Sequence, residues 1–398
     1  HPLRPRGRVA GSMGRTNELQ ASDQSSDLVR WSVRGARLPR DRSLAFSLVW
    51  QYQNHRSDVH QGDRLAKEGC AVLKVGMIGA GNMARIHAAA FARTGKAQIA
   101  GVYALDQVAA VELAGLYGAR AVASAQELLA SDLDAVVIAT PTPTHVQYLE
   151  LAHAAGVHIL CEKPLVRTTQ ELVRTEQLFA GSSKVVMVAH TVRFFPEYVY
   201  ARTVLQQGEL GQCGVLRLGR CAGFRLPADH WLCDFDKSGG VVLDMMIHDL
   251  DFVEWAAGPL ESVFARRAAA ATPADDFCLV VGRLRDGGLV HIEASWAEPP
   301  DTSYYFYELA ASAGILDYDS RRAPAFCWRP QCDGHCFEPA AVALTPAGLT
   351  PYDRQAAAFV DAVLAGEVPP VTLAAGARAV RLALAVLRSA DTGEVVEV

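Results

Sequence analysis

The 398-residue chain has no apolar run approaching the roughly 18 residues that a membrane-crossing helix needs. It has no excess of basic charge either. Its 38 Lys and Arg face 43 Asp and Glu, a formal charge of -5, so electrostatics recommend neither nucleic acid nor an acidic membrane as a partner. A disulfide framework is also missing. Nine cysteines, an odd number, are scattered through a chain long enough to build a sizeable core, which favours reduced thiols and a cytoplasmic location. Cys327, Cys332, His335 and Cys336, in "CWRPQCDGHC", are zinc-ligand types. Their spacing matches no standard zinc pattern and no second half-site follows, so a loop without metal is expected. No secretory leader is expected within these residues, because no compact apolar segment is followed by a small-residue cleavage site. No internal repeat is visible.

Residues 1–71 also lack any sustained apolar period and are rich in Arg and Ser, so they have no means of building a core. They are expected to be a disordered or non-native extension, whose removal leaves activity and melting temperature unchanged. Folded patterning starts abruptly at "AVLKVGMIGAGN". From there to about residue 192, short apolar strands alternate with amphipathic helices, the pattern of a parallel sheet covered on both faces. After residue 192 the strand-like runs lengthen and are separated by Gly, Asp and Pro turns. The fold class is therefore α/β: an N-terminal Rossmann domain over 72–192, then an α+β domain over 193–398 with an open, mainly antiparallel sheet. Two helices close the chain and are expected to return to the Rossmann domain. The second has Thr372 as N-cap and Gly393 as C-terminal stop.

Gly79-Ala80-Gly81-Asn82-Met83-Ala84 is G-x-G-x-x-A between a strand and a helix. Gly79 allows the tight turn, Gly81 lets the backbone approach a pyrophosphate, and Ala84 permits close helix–strand packing. The helix N-terminus offers free N–H groups to phosphates. In this context the motif points to dinucleotide binding. The usual ribose-binding acid at the tip of the second strand is missing. Ala104 occupies its position, and Asp106 is the nearest acid. NAD or NADP is expected, with NAD slightly favoured because Asp106 is close. The third strand ends in Thr140, Pro141, Thr142 and His145, at the sheet edge where ligands bind in such folds. His145 reads either as a cofactor contact or as a surface residue behind an N-capping Thr144.

The fourth strand ends in Glu162-Lys163-Pro164, which puts a lysine at the same edge. Further on, "GGVVLDMMIHDLDFVEW" reads as a helix. Asp244, His248 and Asp251 fall at spacings of four and three on one face, with Asp249 off it. Such a stripe is either solvated or lines a cleft where protons move.

Taken in order, "GMIGAGNMARIHA", "ATPTPTHVQ…GVHILCEKPL" and "GGVVLDMMIHDLDFVEW" resemble the Gfo/Idh/MocA family of glucose–fructose oxidoreductase and inositol dehydrogenase-like enzymes. The resemblance runs from about Val72 to Val398. It implies hydride transfer between a nicotinamide and a sugar or polyol, with Lys163, Asp244 and His248 as the catalytic trio. In the inositol dehydrogenase-like members the histidine takes the hydroxyl proton, and the aspartate holds substrate or imidazole. The resemblance also implies a second-domain sheet that mediates oligomers, and the apolar alternation on that sheet's exposed face suggests a homodimer or homotetramer. Cofactor contacts are expected from Gly79, Gly81, Asn82, Met83, Ala84, Asp106, Thr140, Pro141, Thr142, His145, Glu162 and Lys163. Substrate contacts are expected from Lys163, Asp244, His248 and Arg193, with Arg193 in "HTVRFFPEY" beside His190 and Phe194. Trp296 is a weaker candidate, since a Trp at a sheet edge more often belongs to a core. Asp251 reads as structural. No metal is expected. Two other functions fit part of the pattern: a keto-sugar reductase acting on a carrier-linked substrate, and a non-catalytic dinucleotide sensor.

Overall fold

Short apolar runs build the first sheet. The computed structural model describes residues 72–223, 226–227, 229–268, 276–322, 326–330, 340–341 and 348–398. The expectations for residues 1–71, and for Cys332, His335, Cys336 and the Cys327 side chain, lie outside the described residues. The strands are β1 (Leu73–Ile78), β2 (Ala97–Tyr103), β3 (Arg120–Ala121), β4 (Ala135–Ile138), β5 (His158–Cys161) and β6 (Val186–Val188). They pair in the order β3-β2-β1-β4-β5-β6, every pair parallel. All four residues of β4 are buried, as expected for a strand covered on both faces. Helices α1 (Asn82–Arg93), α2 (Gln107–Leu116), α3 (Ala125–Leu129), α4 (His145–Ala154) and α5 (Thr169–Leu178) make the connections. Thr168 and Glu171 form a capping box that starts α5. Strand order reverses between β1 and β4, which opens a crevice at their carboxyl ends. The segments that follow β1, β4 and β5 carry Gly79, Thr140 and Lys163 into that crevice's rim.

Helix α6 (Pro196–Gln206) leads to the second sheet: β7 (Cys213–Ala222), a short helix α7 (Phe235–Ser238), a π-turn (Val242–Met246) running into α8 (Ile247–Ala256), then β8 (Leu260–Ala268), β9 (Phe277–Leu284), β10 (Leu289–Ser295), β11 (Ser303–Ala311), β12 (Gly314–Asp319), β13 (Phe326–Pro330) and β14 (Ala340–Ala341). After α9 (Pro351–Ala365) and α10 (Leu373–Thr392), β15 (Val396–Glu397) closes the edge. The order is β14-β13-β12-β11-β7-β10-β9-β8-β15, with β7 and β10 parallel and the other pairs antiparallel. Helix α10 runs from Thr372, whose side chain accepts from Ala375 N, to Gly393 in the left-handed conformation.

The last two helices hold both sheets. On α10, Ser389 Oγ accepts from Ala265 N of β8 at 2.9 Å. Just before α10, Val371 O accepts from Val188 N of β6 at 3.2 Å. Helix α9 packs on α1: the Phe91 and Phe359 rings meet edge to face at 5.8 Å, and Arg93 Nε donates to Asp353 at 2.7 Å. Both rings are fully buried, and burial of each contributes about 1.5–3 kcal/mol. Among the described residues no helix is long and apolar enough to cross a membrane, and Cys161, Cys213, Cys221, Cys233 and Cys278 are free thiols.

Candidate active site

Gly79 has φ 112, and a Cβ there would lie 2.2 Å from Ala139 O. The tight turn after β1 therefore admits only glycine. At Gly81 an added Cβ would meet nothing within 4 Å. Gly81 leads into α1, which has no side-chain N-cap and no acid in its first turn. Its leading N–H groups and the positive end of its dipole thus stand free for an anion. Asn82 is exposed, Met83 half-buried, and Ala84 fully buried against the sheet. This open, uncapped helix start fits a dinucleotide pyrophosphate.

At the β2 tip, Ala104 is buried and offers no group to a ribose. Asp106, the nearest acid, is exposed. It caps α2, with Oδ1 accepting from Val108 N at 3.0 Å and Ala109 N at 3.1 Å. An Asp just ahead of a helix is drawn to these free donors.

The β4 tip corrects the surface reading of His145, which is fully buried. Its Nδ1 lies 3.0 Å from Pro164 O and its Nε2 lies 3.0 Å from Thr140 O, so the ring ties the β4 and β5 tips together. Burial lowers its pKa. Thr144 makes no side-chain cap; its hydroxyl donates to Thr140 Oγ1 and Pro141 O. Thr142 is buried, Pro141 exposed, and Thr140 half-buried at the rim.

Glu162 is also buried. Its Oε1 lies 2.6 Å from His87 Nε2 on α1, and Oε2 accepts from Lys163 N at 3.1 Å. Burial raises the carboxyl, but the hydrogen bond and electrostatic pull of His87, then Lys163, hold it below the usual carboxylate range. The locked Glu162 fixes the backbone from which Lys163 reaches out. Lys163 Nζ donates to Asp244 O at 2.5 Å and to Asp244 Oδ1 at 3.1 Å. The lysine after β5 thus meets the helix that carries His248.

That helix is not uniformly α. Residues 242–246 form a π-turn in which Ile247 N donates to Val242 O, a five-residue step. Asp244 lies inside the π-turn, and His248 follows it in the α-helical segment. Asp244 grips Lys163 and makes no hydrogen bond to the His248 imidazole, which corrects the expectation that it orients the ring. His248 is half-buried, and its Nδ1 is buried without a partner among the described residues. Burial, then the charges of Lys163 and Arg220 and the nearby His190, hold its pKa well below 6.5. The ring is a neutral base at neutral pH. His190, fully buried, packs edge to face on it with centroids 6.3 Å apart.

The other acids of the helix face inward. Asp251 receives Arg193 Nε at 2.8 Å and Nη2 at 2.6 Å, a bidentate buried pair. This pair holds Arg193 against the helix. Asp249, fully buried, accepts from Arg220 of β7, which also donates to Tyr198 at 2.9 Å. Trp296 is buried at a strand end and Phe194 is half-buried. Sequence reasoning missed His87, Arg220 and the π-turn. A histidine on the apolar face of α1 was the one local signal for His87. Among the described residues no three His, Cys, Asp or Glu side chains gather as a metal site.

Comparison with known proteins gives the same picture. Residues 73–190 match the model for the oxidoreductase family with an NAD-binding Rossmann fold, and residues 198–316 match the GFO/IDH/MocA C-terminal domain. Inositol 2-dehydrogenase of Rhizobium meliloti is 30% identical over 186 residues, 47% of this chain and 55% of that protein. UDP-N-acetylglucosamine 3-dehydrogenase of Acidithiobacillus ferrooxidans is 34% identical over 225 residues, 56% of this chain and 67% of that protein. The solved structure of levoglucosan dehydrogenase, in complex with NADH and levoglucosan, shares the fold with TM-score 0.76 at 21% identity. The match covers 82% of this chain and 99% of that one. With an open glycine cradle, a lysine at the β5 tip and a histidine-bearing helix joined to it, the chain belongs to the GFO/IDH/MocA oxidoreductase family.

Proposed function

We propose that this protein is an NAD(P)-dependent dehydrogenase that interconverts a secondary alcohol and a ketone on a sugar or polyol, with Lys163, Asp244 and His248 at the reacting centre. The observation that carries this reading is the contact of Lys163 Nζ with Asp244 O at 2.5 Å. It brings a cation at the Rossmann edge to the helix holding a neutral histidine. Relatives that act on inositol and on a nucleotide sugar support the substrate class.

Oxidation of a secondary alcohol removes a hydride from carbon and a proton from oxygen. Bound nicotinamide supplies the hydride acceptor. His248 takes the hydroxyl proton; such general-base assistance is worth about 10²–10⁴-fold. Lys163 donates a hydrogen bond to the same oxygen and stabilises the negative charge that develops there. Asp244 holds Lys163 in place through its carbonyl and carboxylate. In reverse, His248 returns the proton to a ketone oxygen. Within this scheme residues 72–192 bind the dinucleotide and residues 193–398 the substrate. The second sheet exposes Val281 at 47% and Leu289 at 49%, and this face is the expected homo-oligomer contact.

The test is nicotinamide reduction, followed by absorbance, with NAD and NADP separately against inositols, aldoses and other polyols. A rate with one cofactor and one substrate subset is expected. Absence of any rate in protein that binds dinucleotide favours a carrier-linked keto-sugar substrate or a sensor.

A further inference from the structure

The helix that bears Asp244 and His248 is capped from a distance. Gly239 and Gly240, which precede it, both have left-handed backbones, φ 74 and φ 64. A Cβ on Gly240 would lie 2.1 Å from Asp276 Oδ2. Glycine there lets that oxygen accept from Val241 N at 2.8 Å. An ordinary N-cap comes from the residue just before the helix. This one comes from 35 residues further on, at the head of β9. Asp276 is itself pinned: Oδ1 accepts from Arg267 Nε at 2.6 Å, and its main-chain oxygen accepts from Trp296 N at 2.8 Å. Arg267 in turn lies 3.9 Å over the Phe235 ring of α7. Asp276 is 4% exposed, so the carboxylate has little water to satisfy it otherwise.

The π-turn follows at once. Val241 and Asp244 lie within a single turn, and the Asp244 carbonyl in that turn receives Lys163 Nζ. A shift of the helix start therefore shifts the oxygen on which Lys163 rests. We propose that Asp276 is a positioning residue: by capping the helix from the second sheet, it sets the turn whose Asp244 carbonyl holds Lys163 in the cleft. Its consequence for turnover rests on the proposed dehydrogenase reaction, whereas its control of Lys163 does not.

The experiment therefore reads Lys163 itself. The chain has six lysines, so the side-chain signals of protein labelled at lysine ¹³Cε are few. Lys163 is assigned by the signal lost in Lys163→Met. In Asp276→Ala the Lys163 signal is expected to move while those of Lys74, Lys96 and Lys184 stay. Turnover should fall by about tenfold with KM and NADH affinity changed by less than about twofold. Asp276→Asn keeps an oxygen for Val241 N–H, and should leave the Lys163 signal in place and turnover within about threefold of wild type. If Asp276→Ala fails to fold, Gly240→Ala displaces the same cap and should move the same signal. An unmoved Lys163 signal in a folded variant that lacks the cap overturns the proposal. So does an Asn variant as impaired as the Ala variant, which would assign the effect to the Arg267 ion pair. A moved signal in a protein without dehydrogenase activity keeps the placement and removes the proposed reaction.

Discussion

His248 has a buried Nδ1 without a partner among the described residues, and the charge of Lys163 acts on it. Burial and that charge both disfavour its protonated form, so the ring stays a base as the medium acidifies. The sign for catalysis follows. Oxidation needs neutral His248, and its pKa lies well below 6.5. The rate of alcohol oxidation should therefore hold as pH falls through 6.5 and decline only in more acid solution, as measured by kcat/KM against pH. A decline centred at or above 6.5 would show that the environment of His248 is not the one described. That Lys163 and the helix of Asp244 and His248 share one region was legible in the sequence because their motifs fall in order. What each touches was not. Asp244 was expected to hold substrate or the imidazole, and in the structure it holds the lysine. A carboxylate's partner depends on which side chain the fold brings within about 3 Å, and spacing along a helix says nothing of a lysine 81 positions away.

At the scale of elements, α8 is held from two sides by buried ion pairs. Arg220–Asp249 ties it to β7, and Arg193–Asp251 ties it to the turn after β6. Asp251 is 2% exposed and Arg193 9%, so removing one partner leaves a charge without water. Asp251→Ala should lower stability by about 3–5 kcal/mol, read from denaturant unfolding. A loss under about 1 kcal/mol would mean that the pair behaves as a surface bridge. The strands and helices themselves were legible, since apolar runs and 3.6-residue periods mark them. Thr372 and Gly393 bound α10 where the capping rules put them. The π-turn was not legible. Val242, Leu243, Met245 and Met246 are all buried, so this stretch has no apolar period to mark a five-residue step, and the cap that accompanies it comes from β9, remote in sequence. His145 shows the same limit: its neighbours Thr140 and Pro164 come from two strand tips that only the parallel sheet makes adjacent.

For the whole molecule, the fold class followed from the change in strand style near residue 192, and both sheets carry it. The final helices were expected to return to the Rossmann domain, and they meet α1 and β6 there; their contact with β8 was not legible, because it joins segments far apart in the chain. The assembled fold buries His145 and His190 fully and His248 in part, and burial lowers the pKa of each from 6.5. In the unfolded chain these residues bind protons near 6.5, while in the folded chain they bind them only at lower pH. The unfolded state therefore holds more protons in that window, and stability rises with pH there. The contribution is complete above pH 6.5 and is lost as pH falls toward the folded values. Melting temperature should drop as the medium is acidified below about 6.5. An unchanged or rising melting temperature across that range would contradict the burial of three neutral imidazoles.

The measurement that bears most directly on the proposed reaction compares wild-type protein and His248→Ala in the nicotinamide assay, with NADH affinity determined on both. The account predicts a wild-type rate on a subset of inositols, aldoses or other polyols, a rate at least about tenfold lower in the variant, and the same NADH affinity in each. Near-wild-type turnover in His248→Ala would contradict it.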